Sequence, residues 1–159
     1  MPKGLLVGSI PHVNARAVAL LVVLAVAVAG CGGGDDAVPE AAGDSSRVAA
    51  AAALRDAFTD VSSAADGLDS CGSRRCLRGM GRDLRAAADG AVARLEGLDT
   101  RPLPACYAIA IEQATRAMTA YRRAGLAFQV VDADAAQAAI ARASRFEAGV
   151  TRSIAACST

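Results

Sequence analysis

Five cysteines, at positions 31, 71, 76, 106 and 157, carry most of the chemistry this chain could do. Thiols can bridge to one another, hold a soft metal or shuttle electrons, and their spacing and neighbours decide among these. Zinc is disfavoured, because no two cysteines are spaced C-x2-C and the sole histidine, His12, lies near the start. Cys71 and Cys76 sit beside Arg74 and Arg75, cations that would favour a thiolate and redox chemistry. Four intervening residues and no surrounding βαβ pattern argue instead for a structural bridge. Beyond His12 the chain has no histidine, so the rest of it offers Ser-His-Asp, Cys-His, c-type haem and Glu-x-x-His di-iron sites no base or ligand to draw on. The one glycine run, Gly32 to Gly34, follows no strand pattern and is no phosphate loop. A second group of chemical interest is an arginine row, Arg75, Arg78, Arg82 and Arg85, on one helical face; guanidinium forks suit phosphate and carboxylate. These residues predict a protein that is not an enzyme, with no cofactor and no metal site.

The first cysteine has a different setting from the other four. Lys3 and Arg16 are the only charges before residue 35, and Ala17 to Ala29 is uninterrupted apolar sequence closed by Gly30. As a helix it would span about 21 Å, short of the about 30 Å of a bilayer core, so a secretory signal is favoured over a permanent span. The stretch ends in Val28-Ala29-Gly30-Cys31, followed at once by Gly32, Gly33, Gly34, Asp35 and Asp36. This resembles the leader and lipobox of bacterial lipoprotein precursors, over residues 1–31 only. The resemblance implies cleavage between Gly30 and Cys31 and a diacylglyceryl group on the Cys31 thiol. Two acyl chains, at about 0.8 kcal/mol per buried methylene, would hold the mature chain on the extracytoplasmic face of the cell membrane.

With the leader removed, residues 31–159 hold fifteen Arg, sixteen Asp or Glu, and neither Lys nor His. That balance excludes a nucleic-acid partner, which needs a basic excess to displace counterions. Residues 31–45 are mostly Gly, Asp and Ala, with Val38 the one large aliphatic, and predict a flexible tether. From residue 46 the pattern becomes helical, with Ser45 or Ser46 as N-cap. Apolar stripes predict helices over about 46–69, 74–98, 104–131 and from Asp132 or Asp134 to 157. Pro102 and Pro104 enforce the break before the third. Gln137, three after Asp134, makes a capping box there. Met80 and Met118 read as core filler, and Tyr107, Tyr121 and Phe128 as the bulky half of the core, hydroxyls at the rim. No alternating stretch is long enough for a strand, so the fold expected is all-α, a small antiparallel four-helix bundle over residues 46–159.

Forty of the residues are alanine, and Leu, Ile, Val and Phe supply only 21 of the 114 from 46 onward. So lean a core needs covalent help, and Cys71, Cys76, Cys106 and Cys157 are an even set in an exported chain. Three pairings are open by arithmetic. A turn near Asp132 puts Cys106 and Cys157 at matching distances along two antiparallel helices, while Cys71 and Cys76 flank the turn between the first two. The pairing expected is therefore Cys71 with Cys76 and Cys106 with Cys157.

Arginines at the start of the second helix oppose its dipole, as do Asp60, Asp66 and Asp69 at the end of the first. Folding the pair about the Cys71 to Cys76 turn would set Asp69 against Arg78, Asp66 against Arg82 and Asp60 near Arg85. Mutual neutralisation is one reading of the row; an anion site on Arg75, Arg78, Arg82 and Arg85 is the other. The expected partners follow: the membrane through the diacylglyceryl anchor, and an envelope protein or an anionic or lipidic ligand on the bundle.

Overall fold

A computed structural model describes residues 40–157; Cys31, the leader and the first part of the tether lie outside the described residues. The chain is all-α, an antiparallel four-helix bundle: α1 Glu40–Ala65, α2 Arg74–Glu96, α3 Ala105–Val130 and α4 Ala133–Ala155, with one 3-10 turn at Leu68–Ser70. No strand occurs among the described residues, and none of their helices is long and apolar enough to cross a membrane.

Each boundary has a local cause. Gly67 takes a left-handed φ of 89°, which ends the path of α1 and starts the 3-10 turn. Ser73 caps α2, its Oγ accepting from the Cys76 N–H at 3.2 Å. Pro104 stands at the N-cap of α3, where its missing N–H costs nothing. Between α3 and α4 the turn is tight. Val131 adopts a left-handed φ of 61°, the Asp132 N–H donates to the Ala127 carbonyl at 2.9 Å, and Asp132 Oδ1 accepts from the Ala135 N–H at 2.9 Å. The cap is thus Asp132, and Gln137 falls within α4 rather than in a capping box.

The first helix departs from expectation at both ends. It begins at Glu40, so Ser45 and Ser46 are interior rather than capping, and residues 40–45 of the expected tether are helical. Glu40, Ala41 and Ala42 are strong helix formers, and the helix runs from them through Gly43 and past the serines. It also stops at Ala65 rather than 69, leaving residues 66–73 to make the connection.

Consecutive helices pack on one another, with α3 between α2 and α4 and α1 lying on α2 and the edge of α3. Leu54, Val61, Leu84, Leu95, Met118 and Tyr121 are the large buried side chains, and between them sit alanines 50, 57, 88, 91, 110, 114, 117, 124 and 143 at 0% exposure. Small side chains let the helix axes approach. At the α2–α3 crossing the approach is limiting: a Cβ on Gly81 would lie 2.7 Å from the Gly125 carbonyl oxygen, and one on Gly125 would lie 2.7 Å from the Gly81 carbonyl oxygen. The stripe expectation, which sets Val48 with Leu54, Phe58 and Val61 on the buried face of the first helix, fails at Val48, which is 65% exposed. It holds along α3, where Ile111, Ala114, Met118, Tyr121, Gly125 and Phe128 are all buried.

Two disulfides staple this lean core, Cys71–Cys76 and Cys106–Cys157, each with Cα atoms 5.6 Å apart. The first closes the α1–α2 connection, where Cys71 Sγ also rests 3.1 Å from Met80 Sδ. The second joins the start of α3 to the end of α4.

Candidate anion-binding surface

Three of the four arginines in the sequence-predicted row, Arg75, Arg78 and Arg82, stand exposed on α2 with no ion pair among the described residues. The fourth, Arg85, lies 3.6 Å from Asp89 one turn along its own helix. The expected partners do not meet them. Asp60 instead pairs with Arg94 at 2.8 Å, and Asp66 and Asp69 have no ion pair among the described residues. The reason is register. Because α1 ends at Ala65 and the connection runs from 66 to 73, Asp60 comes level with Arg94, about two and a half turns beyond Arg85.

The four paired cysteines are spent as disulfides and are not thiolates. Among the described residues no group of three or more His, Cys, Asp or Glu converges as a metal would require.

The helix seams differ in how they use charge. At the α1–α2 seam Arg94 meets Asp60. At the α2–α3 seam Asp89 forms an ion pair with Arg122 of α3 at 3.0 Å and lies 3.6 Å from Arg85. On the outer side of the α3–α4 seam there is no such pair. A groove of about 210 Å³ opens there, lined by Arg116 and Arg123 of α3, Arg142 of α4, Thr115, Thr119 and the ring of Phe146. It continues into a wider depression of about 450 Å³ that shares Arg123 and Arg142 and adds Arg145. Arg116 is held by Glu112 one turn back on its own helix. Arg123, Arg142 and Arg145 have no acidic partner among the described residues. The two threonine hydroxyls donate to backbone carbonyls of Ile111 and Thr115, each at 2.9 Å, so the guanidiniums are the side-chain donors left free in the groove.

The inner side of the same seam holds a part-buried polar contact. Tyr121, 2% exposed, donates its hydroxyl to Glu147 Oε1 at 2.7 Å. The expected rim position of this hydroxyl is thus corrected: it is covered by α4. Burial pushes the Tyr121 hydroxyl well above its ordinary range, and the Glu147 charge adds to the shift. Burial also raises the Glu147 carboxyl, against the opposing hydrogen bond from Tyr121. At the surface, Arg101 hydrogen-bonds the Asp99 carboxyl and lowers it to about 2.

The sequence reading passed over Arg123, Arg142 and Arg145 although it held the means to find them. Counting inward from the paired cysteines, the seventeenth residue after Cys106 is Arg123 and the fifteenth before Cys157 is Arg142. The hairpin arithmetic that paired the cysteines therefore also sets these two cations abreast. Compared with known protein families, characterised proteins and solved structures, the chain has no significant match.

Proposed function

We propose that this chain is an extracytoplasmic lipoprotein, held on the cell membrane through a diacylglyceryl group on Cys31, whose helical bundle acts by binding another envelope component rather than by catalysis. The observation that carries the reading is the pair of disulfides, Cys71–Cys76 and Cys106–Cys157. Such bonds persist in oxidising compartments, which supports export, and export is what the Val28-Ala29-Gly30-Cys31 leader would bring about. A binding role draws support from how the reactive groups are engaged: four thiols sit in bridges, and the Glu147 carboxyl, raised by burial, is tied to Tyr121. Metabolic labelling with radioactive palmitate tests the anchor. Label on the wild-type chain and none on Cys31→Ala is the expected result; equal label on both would overturn it.

A second reading, in which the bundle binds an anionic or lipidic ligand, is favoured by the arginines that lack acidic partners, Arg75, Arg78 and Arg82 on α2 among them. Unpaired guanidiniums retain their full capacity for phosphate or carboxylate. Binding of the full chain to vesicles containing phosphatidylglycerol, set against phosphatidylcholine alone, tests it at low salt, where screening is weak. No preference for the anionic vesicles would dispose of it.

A further inference from the structure

From the α3–α4 seam we infer that the groove bounded by Arg123 and Arg142 is a binding site for an organic phosphate, the phosphoryl group held between the two guanidiniums and an apolar portion lying on Phe146 and Ala120. This rests on the anion-binding reading but moves the site off the α2 row, and it does not depend on the lipid anchor.

The argument is one of unmatched charge. Where α1 meets α2 and α2 meets α3, a cation on one helix is answered by an aspartate on the other, Asp60 for Arg94 and Asp89 for Arg122. Across the outer α3–α4 seam the matching positions hold cations on both sides, Arg123 and Arg142, with Arg145 next along the depression. Like charges facing one another are destabilising. The nearby acids are already engaged, Glu112 with Arg116 and Glu147 with the Tyr121 hydroxyl on the inner side. A dianionic group between the two forks removes the repulsion and satisfies donors on both sides, which a single carboxylate does less completely. The remaining wall is apolar, with the Phe146 ring and the Ala120 methyl, and the Thr115 and Thr119 protons are committed to the backbone. An inorganic ion would leave that wall in water; a phosphate ester with an attached hydrocarbon covers it. The shared chemistry has two sources, a soluble phosphate ester or the headgroup of a lipid.

Calorimetric titration of the full chain in nonionic micelles separates these. The probes are hexyl phosphate, inorganic phosphate, and vesicles containing phosphatidic acid, whose headgroup is likewise a phosphomonoester, in place of the micelles. Hexyl phosphate is expected to bind at least tenfold more tightly than inorganic phosphate. Arg123→Gln with Arg142→Gln should lose at least tenfold, while Arg78→Gln with Arg82→Gln stays within twofold. Vesicle binding lost by the groove variant alone assigns the lipid source; vesicle binding unaffected by it, with hexyl phosphate binding lost, assigns the soluble ester. Equal losses in the two variants would mean diffuse attraction to the surface and would overturn the groove, leaving the general anion reading intact. No hexyl phosphate binding by the wild type, with phosphatidic acid vesicles still bound, would do the same; failure of every probe would sink both readings. Thermal unfolding guards against misfolding: the groove variant loses a like-charge contact and should melt no lower than wild type.

Discussion

The two seams on either side of α3 solve the same packing problem by opposite means. Toward α2 the backbones touch. Gly81 and Gly125 face each other so closely that neither position has room for a methyl group, Gln129 Nε2 donates to the Gly81 carbonyl at 3.3 Å, and Asp89 joins Arg85 to Arg122 on the outside. Toward α4 the outer side stands open and cationic, while the helices are held by a disulfide at one end, the Val131–Asp132 turn at the other and the Tyr121–Glu147 hydrogen bond inside. A seam that relies on shape must be dry and complementary. Toward α4 the inner face is packed as well, with Ala136, Ala143 and Val150 buried, and the covalent hold at one end lets the outer face keep an open groove and unneutralised charge.

Removing the covalent hold should therefore have the largest effect on the molecule. Opening Cys106–Cys157, by Cys157→Ser with Cys106→Ser, frees a loop closed over a sequence separation of 51 and is expected to cost about 4 kcal/mol on the chain-entropy estimate. Opening Cys71–Cys76, with a separation of 5, should cost about 2 kcal/mol. Urea unfolding of the variants and of the reduced wild type measures both. Equal midpoints with and without reductant would mean that α3 and α4 hold by packing after all, and the contrast between the seams would disappear.

Next in size is the inner contact of the α3–α4 seam. Tyr121→Phe leaves Glu147 part-buried without its donor and is expected to cost about 1.5 to 3 kcal/mol. The pH dependence has a definite sign. The Glu147 carboxyl is raised in the folded state above its ordinary 4.5, so the folded chain holds its proton more tightly than the unfolded one. The stabilisation is fully present below 4.5 and is lost as pH rises through the raised folded value. Asp99 acts in the opposite sense and in a separate window, its contribution disappearing as pH falls from 3.8 toward about 2. In Glu147→Gln, which keeps an acceptor for Tyr121, the slope above pH 4.5 should flatten. A thermal-melt series from pH 4 to 8 checks it; an unchanged slope would show that Glu147 does not feel its burial.

On the α2 side the test is steric. Gly125→Ala would place a Cβ 2.7 Å from the Gly81 carbonyl oxygen and 2.8 Å from the Arg85 backbone nitrogen, neither of which can move without its helix. A net loss of about 1 to 3 kcal/mol is expected. Gly90 on the same helix as Gly81 has nothing within 4 Å, and Gly90→Ala should stabilise by about 0.8 kcal/mol through helix propensity alone. If both substitutions stabilise, the α2–α3 seam is looser than its geometry implies.

This pair of glycines marks where sequence reading succeeds and where it stops. Gly125 lies on the apolar stripe of α3, and Gly81, four after Leu77 and three before Leu84, lies on the buried face of α2, so both positions were within reach of periodicity; that they meet was not, since nothing in one helix's periodicity tells which of its neighbours will come close. The four helices, both disulfides and the Asp132 cap follow from periodicity, even cysteine count and turn chemistry, all of them local or nearly so. Two readings of the arginine row were open, neutralisation by the acids of α1 and an anion site; the pairings expected for the first do not form, because they depended on how many residues the α1–α2 connection would take. α1 ends at Ala65 rather than 69, the connection takes residues 66–73, and Asp60 pairs with Arg94 rather than standing near Arg85. The groove arginines were within reach of the same counting that joined Cys106 to Cys157, but they lie on two helices and form no motif on either.

The smallest effects bear most directly on the contrast between the seams. Asp89→Asn removes the charge that Arg122 and Arg85 share; at 43% side-chain exposure the loss should be about 0.2 to 1 kcal/mol and shrink as salt is added. Arg142→Asp makes the converse change, giving the α3–α4 seam the opposite-charge arrangement that the α2–α3 seam already has. If Arg123 and Arg142 repel across the groove, this variant should gain stability of the same order, in spite of the charge being placed in an open site. The gain, too, should fade with salt. A loss of stability in Arg142→Asp would mean that the two guanidiniums splay apart into solvent and cost the fold nothing, and the open seam would then need no anion to balance it. The two substitutions, measured at low and high ionic strength in the same unfolding experiment, therefore decide whether the difference between the seams is energetic or only geometric.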